Sequence, residues 1–183
     1  MMRKTAYLIL LLVGLSLGAC SVDTKKEVTV EDAQQAYKDV QGTYSGRVTD
    51  ENVPVDVTMT LAADFTLRNL PVTPLLKRFF SGEELDEALL SAHPANFVAA
   101  TVAMQILGDQ VFVQMEPTDW SFEVSVGGKK YQVNALLAVT TLYSNNYKTL
   151  SAAIQVQELT CDGITADLAT NGISYLIDSA IKN

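Results

Sequence analysis

The spacing of apolar residues changes period several times along this chain, and each change marks an element. From residue 29, Ala33, Ala36, Tyr37 and Val40 recur at helical spacing. Thr29 stands where an N-cap hydroxyl belongs, and Glu31 and Asp32 occupy the first turn, where carboxylates suit the helix dipole. Gly42 ends the run, so the pattern predicts one short helix over 30–40. The period then drops to two. In VPVDVTMTL, Val53, Val55, Val57, Met59 and Leu61 alternate with Pro54, Asp56, Thr58 and Thr60, the signature of a half-buried strand. Strands at 43–49 and 65–70 flank it, joined by turns at 50–54 and at Ala63-Asp64, and the three predict an antiparallel meander.

Residues 71–94 interrupt this rhythm. Pro71 and Pro74 end the strand and open a helix, in which Leu75 and Leu76 meet Phe79 and Phe80 at i,i+4. Ser81 with Glu84 fits a capping box for a second helix over 82–92, and Pro94 closes it. Strands are then expected at 97–106, 110–115, 120–126, 130–142, 148–159, 163–168 and 173–181. Turn signals separate them: Gly108-Asp109, Gly127-Gly128, Asn145-Asn146, Asp162-Gly163 and Asn171-Gly172. About ten short strands with one helical insert point to a barrel or a two-sheet sandwich.

The first residues follow a different pattern. Arg3 and Lys4 precede an apolar run from Ala6 through Leu17, the layout of a secretory signal peptide and too short for a good bilayer span. It ends in Leu17-Gly18-Ala19-Cys20, which resembles a bacterial lipobox. In that class the peptidase reads the small residues before the cysteine, cuts there, and the cysteine carries the acyl chains. The expectation is therefore a signal peptide over 1–19, a lipidated tether over 20–28, and a single β domain over 29–183 with its insert at 71–94. The protein would be exported to the bacterial cell envelope and held by lipid at Cys20 in the outer membrane. More than one acyl chain makes such anchoring durable, at about 0.8 kcal/mol per buried methylene.

Charge narrows the partners. The chain carries a formal net charge of -8, and cutting before Cys20 removes Arg3 and Lys4 but no acid, which takes it to -10. That argues against nucleic acid, whose affinity comes from Lys and Arg on phosphates. With Cys20 acylated, Cys161 is left without an intramolecular disulfide partner and is expected to be a buried small residue.

The stretch VQGTYSGRVTDENVPVDVTMTLAADFTLRNLPVT, with Gly42, Tyr44 and Gly46 in a G-x-Y-x-G, a long alternating strand and a tight turn, resembles the opening of uncharacterised calycin-like lipoproteins of Bacteroides-type bacteria. The exit Asn69–Thr73 and the helical insert are similar to a related set of such lipoproteins. The resemblance covers under half of the chain. It implies an antiparallel barrel-like fold in an exported lipoprotein, a domain of unknown function, and it carries over no catalytic residues. The fold class expected is thus all-β, mainly β: an antiparallel calycin-like barrel or sandwich with a short N-terminal helix and a two-helix insert.

Catalytic chemistry finds little support. There is no G-x-S-x-G, no H-E-x-x-H, and His93 is the sole histidine. The acids Glu83, Glu84, Asp86 and Glu87 lack the spacing of a calcium loop and suit the start of a helix. Neither a metal site nor a cofactor is expected. Acid pairs such as Asp162 and Asp167 leave a glycan hydrolase conceivable, since sequence spacing does not select glycosidase carboxylates. Tyr44, Tyr131, Tyr143, Tyr147, Tyr175 and Trp120 either line a cavity or pack a core, packing being the more common fate of strand aromatics. Leu75, Leu76, Phe79 and Phe80 are candidates for a gate or a partner contact, with a plug in the barrel mouth as the plainer reading.

Three functions remain. The first is a non-enzymatic binding module for a small apolar ligand, a peptide or an envelope protein. The second is a structural or interaction lipoprotein with a filled barrel. The third is a glycan hydrolase using paired carboxylates. A large apolar cavity, a packed interior with an exposed apolar patch, or a cleft with paired acids would tell them apart.

Overall fold

A computed structural model describes residues 29–50, 53–170 and 172–183. The expectations for Leu17, Gly18, Ala19 and Cys20, and for the tether, lie outside the described residues.

The order of elements is α1 (Val30–Val40), β1 (Gly42–Asp50), β2 (Val53–Leu61), β3 (Asp64–Arg68), α2 (Thr73–Leu76), α3 (Gly82–Ser91), β4 (Phe97–Leu107), β5 (Gln110–Met115), β6 (Thr118–Val126), β7 (Lys129–Ser144), β8 (Thr149–Cys161), β9 (Ile164–Thr165) and β10 (Ser174–Lys182). Every pairing is antiparallel. β5 and β6 lie end to end along β7, Gln110 opposite Ser144 and Val126 opposite Lys129, and so act as one long strand. Counted that way, and with the two-residue β9 outside the ring beside β8, eight strands close a ring in which each pairs with the next, β8 with β10 and β10 with β1. The result is an up-and-down, calycin-like barrel rather than a sandwich, and it removes most of the sheet edges.

Alternation builds the core. Along β7, Val133, Ala135, Leu137, Val139 and Tyr143 are buried while their neighbours face out. The single extra residue at the β7–β8 bulge beyond Leu136 keeps both strands in register with the interior. A two-residue turn sets the β6–β7 hairpin: Gly127 and Gly128 both have positive φ (56° and 76°), as a primed turn requires.

The seam between β1 and β10 explains the G-x-Y-x-G stretch. Only Tyr44 and Ser45 pair with β10, opposite Lys182 and Ile181. A bulge between Ile177 and Ala180 turns both of these side chains inward against Gly46. A Cβ on Gly46 would lie 2.7 Å from Ile177 Cγ2 and 2.8 Å from Ala180 Cβ, so this position closes the barrel only as glycine.

Both ends of the barrel are covered. α1 lies under the end that carries the start of β1, with Ala36 and Val40 buried. Its start is the capping arrangement expected from Thr29, whose hydroxyl accepts from Asp32 N at 3.1 Å while Asp32 Oδ2 accepts from Thr29 N at 3.1 Å. The insert covers the opposite end with Leu75, Leu76, Phe80 and Ala88.

Two local expectations fail. Ser81 is the N-cap of α3, but its hydroxyl makes no capping bond, and the helix ends at Ser91. The strand expected at 163–168 shrinks to β9, because Asp167 Oδ1 accepts from Ala169 N at 2.9 Å and turns the chain away from β8.

Candidate functional site

A closed eight-stranded barrel can hold one small ligand within its ring or be filled by its own side chains. Tyr44, Met59, Phe65, Val111, Val133, Leu137, Leu150 and Ile177 have 0 % exposure. A water-sized void beside any of these side chains would give it accessible surface. Around these residues the space between the walls is filled by side chains, as in small eight-stranded barrels.

The aromatic residues divide by position. Tyr44, Tyr143, Tyr175 and Trp120 are buried, Tyr131 is half-buried, and Tyr147 is exposed in the β7–β8 turn. The polar atoms of three of them reach the two covers. Tyr44 Oη donates to Val40 O at 2.6 Å, satisfying a carbonyl at the end of α1. Tyr175 Oη donates to Pro71 O at 2.9 Å, and Trp120 Nε1 donates to Ala95 O at 2.8 Å. Barrel aromatics thus clamp the insert where it leaves the wall and where it rejoins it. These partners are 104 and 25 residues from their donors, and no local pattern announces them. Burial, with Tyr143 and Asp39 adding repulsion, pushes the Tyr44 phenol well above its usual range; burial, then Asp50, does the same to Tyr175.

Leu75 and Leu76 are fully buried in the insert, Phe80 is buried with its ring edge-on to Tyr131 at 5.3 Å between centroids, and Phe79 is half-buried. α3 has a second task. β6 has β7 on one side only, and α3 lies along its other edge. Ser91 Oγ accepts from Ser125 N at 2.8 Å and lies 3.1 Å from Ser125 O, while Glu87 Oε2 accepts from Gly127 N at 2.7 Å.

The candidate acids are occupied in turns. Asp162 Oδ1 accepts from Gln132 N at 2.9 Å and Oδ2 lies 3.5 Å from Lys129 Nζ, while Asp167 holds its own turn. Among the described residues, no three His, Cys, Asp or Glu side chains form a group able to hold a metal ion. Cys161 is buried; burial, then the Asp162 charge, pushes its thiol up despite Lys129, away from the thiolate a nucleophile needs. His93 lines a shallow polar cleft with Asn69, Asn96 and Trp120.

The outer walls differ sharply. On β1–β3 the outward positions include Arg47, Asp56, Asp64 and Arg68, with Arg47 Nε 2.8 Å from Asp56 Oδ1. Over the middle of β5, β7, β8 and β10, between Glu158 at one end and Asp178 at the other, three outward rows run Phe112, Leu142, Ser151; then Gln114, Thr140, Ala153, Leu176; then Ala138, Gln155, Ser174. None of these carries a charge. A shallow groove of about 350 Å³ runs over this wall, lined by Ala138, Thr140, Ala153 and Leu176 among others. The adjacent Asp178 is held at the β10 bulge by Ser151 Oγ at 3.1 Å and Ser179 Oγ at 3.0 Å. Sequence alternation implied an outward face on each strand, but only the closed ring puts these four together.

The profile of a family described as a domain of unknown function (DUF4840) matches residues 39–161, about two-thirds of the chain. The chain belongs to that family. The DUF4840 match runs from the last turn of α1 to the end of β8, so it includes the insert, Tyr44 and Trp120 but stops short of β10, the strand that closes the ring. No curated protein and no solved structure matches the chain.

The barrel has apolar side chains within and Thr, Ser, Gln and charges without, the inverse of a membrane-spanning barrel. Among the described residues, no helix is long and apolar enough to cross a membrane.

Proposed function

We propose that this DUF4840 protein is a lipid-anchored component of the bacterial cell envelope, in the outer membrane, that works without enzymatic chemistry as an interaction module. Its filled barrel presents an outer wall to a protein partner, and Cys20 holds it at the bilayer. Kinship with the calycin-like lipoproteins of Bacteroides-type bacteria is part of this reading. The observation that carries it is the packed interior: inward side chains of β1, β2, β3, β5, β7, β8 and β10 have no accessible surface and form one hydrophobic cluster. The uncharged middle rows of β5, β7, β8 and β10 support a protein as the partner, since interface centres are poor in charge. The turn-bound Asp162 and Asp167 and the raised Cys161 thiol weigh against hydrolysis.

Native mass spectrometry of the protein purified gently from its own source tests the filled barrel. The expected spectrum shows no stoichiometric small-molecule adduct. An adduct that is lost on denaturation would overturn this reading in favour of an apolar ligand, with Leu75, Leu76, Phe79 and Phe80 as its gate. The anchor is tested separately. Cys20→Ser should move the chain out of the detergent phase, and unchanged partitioning would sink the lipid attachment.

A further inference from the structure

The insert leaves the wall at the end of β3 and rejoins it at the start of β4. The ladder between these strands ends with Leu67 opposite Phe97, and beyond that pair the two segments part. Between them lies a cleft of about 320 Å³. One rim is Asn69 and Leu70, the other runs from Ala92 to Asn96, and Trp120 lines the cleft from β6. Both rims are held by the barrel. Tyr175 Oη donates to Pro71 O, next to the first rim, and Trp120 Nε1 donates to Ala95 O in the second. The gap between the rims is thus fixed by two long-range hydrogen bonds.

The lining is polar but uncharged. The chain has 21 acids and 13 bases, yet no Asp, Glu, Lys or Arg lines this cleft. Three other polar side chains do, those of Asn69, Asn96 and the sole histidine, His93. All three residues are exposed, and among the described residues none of their side chains has a hydrogen-bond partner. Each amide offers two donors and an acceptor, and a neutral imidazole offers one of each. Leu70, Pro94 and Trp120 supply apolar surface beside them.

We propose that this cleft binds one neutral sugar ring, free or at the end of a glycan. An ionic ligand finds no counter-charge here. A purely apolar ligand strips water from two amides and an imidazole without replacing it. A sugar carries neighbouring hydroxyls, each both donor and acceptor, which match the two ends of a side-chain amide, and it carries C–H faces for Leu70, Pro94 and Trp120. The volume is at the small end of the range of about 300–1,000 Å³ for ligand sites, which favours a single ring. No carboxylate lines the cleft, so the sugar is held and not hydrolysed. The cleft opens to solvent beside the insert and needs no space in the packed interior. The inference therefore goes beyond the protein-partner reading without resting on it.

Trp120 is the chain's single tryptophan and lines the cleft, so its emission reads occupancy directly. Glucose, galactose, mannose and N-acetylglucosamine are titrated to about 100 mM into the full chain, held in a detergent without a sugar head group. At least one is expected to give a saturable change with a Kd of about 1–20 mM, as suits a ligand of so few atoms. Asn96→Ala and Asn69→Gly should each weaken that binding about two- to tenfold, through loss of neutral hydrogen bonds. Glycine is the replacement at 69 because Asn69 has a φ of 63°, which glycine adopts without strain. Asn96→Ala should leave the thermal midpoint unchanged, because Asn96 is exposed and makes no side-chain bond. Level emission with all four sugars overturns the proposal. So does a change that glycerol or N-methylacetamide reproduces at the same concentration, or one that both variants leave intact. A stronger response to glucuronate than to glucose also overturns it, since the lining offers a carboxylate no partner. Ligands bound in the millimolar range are lost on purification, so no result here bears on the mass spectrometry of the filled interior or on Cys20.

Discussion

At one end of the barrel a single helix, α1, contributes two buried side chains, Ala36 and Val40, and is tied by one buried aromatic clamp, Tyr44 Oη on Val40 O, with Lys182 Nζ donating to Asp39 O at 2.9 Å beside it. At the other end an insert contributes Leu75, Leu76, Phe80 and Ala88 and is clamped twice, by Tyr175 on Pro71 and by Trp120 on Ala95. The difference is one of cost. α1 leads directly into β1, so little chain entropy is needed to bring it home. The insert leaves from β3 and returns to β4, and a loop that long needs more buried area and fixed ends to stay ordered. The thinner cover is the weaker one, and any opening of this barrel should begin under α1.

The largest expected effect tests the thicker cover. Leu76→Ala empties a fully buried site and should lower unfolding stability by about 2–5 kcal/mol in chemical denaturation. At the thin end Val40→Ala should cost about 2 kcal/mol. If Val40→Ala proves the more damaging, α1 is the keystone and the comparison reverses.

The clamps come next. Tyr175→Phe and Tyr44→Phe each strand a carbonyl, and each should cost about 1 kcal/mol. Tyr175→Phe should also shift the emission of Trp120, the chain's single tryptophan, if the two ends of the insert move together. Unchanged emission would show that the clamps act independently.

Alkaline pH probes both ends at once. Tyr44 and Tyr175 are raised above their ordinary value of 10 by burial, so the folded protein holds these protons more tightly than the unfolded chain does. Their contribution is complete below pH 10 and is lost as pH climbs through that value toward the folded-state pKa. The thermal midpoint should fall over that window, and Tyr44→Phe should flatten the fall. A midpoint that is level above pH 10 in the wild-type chain would refute the linkage.

The smallest effect distinguishes the helix starts. Thr29→Ala removes a working cap and should cost about 1 kcal/mol, whereas Ser81→Ala removes a hydroxyl that caps nothing and should be near neutral. Equal losses would mean that Ser81 forms its cap in solution.

The sequence by itself determined the elements. Alternation in VPVDVTMTL places β2 at Val53–Leu61, and helical spacing after Thr29 places α1 at Val30–Val40, because period and capping are local properties. The turns at Gly127-Gly128 and Asp162-Gly163 were equally legible, since glycine takes a positive φ without strain. Ser81 misled because a capping hydroxyl is a local option that the folded chain need not use. What only the tertiary structure decided is closure and everything that depends on it. β10 meeting β1 at Gly46 makes a barrel rather than a sandwich, and that contact joins residues more than a hundred positions apart. The tyrosine and tryptophan clamps, the cover that α3 gives β6, the polar cleft beside the insert and the uncharged rows of the outer wall are likewise products of long-range register. Residue spacing records which face of a strand is apolar; it holds no record of which strand lies alongside.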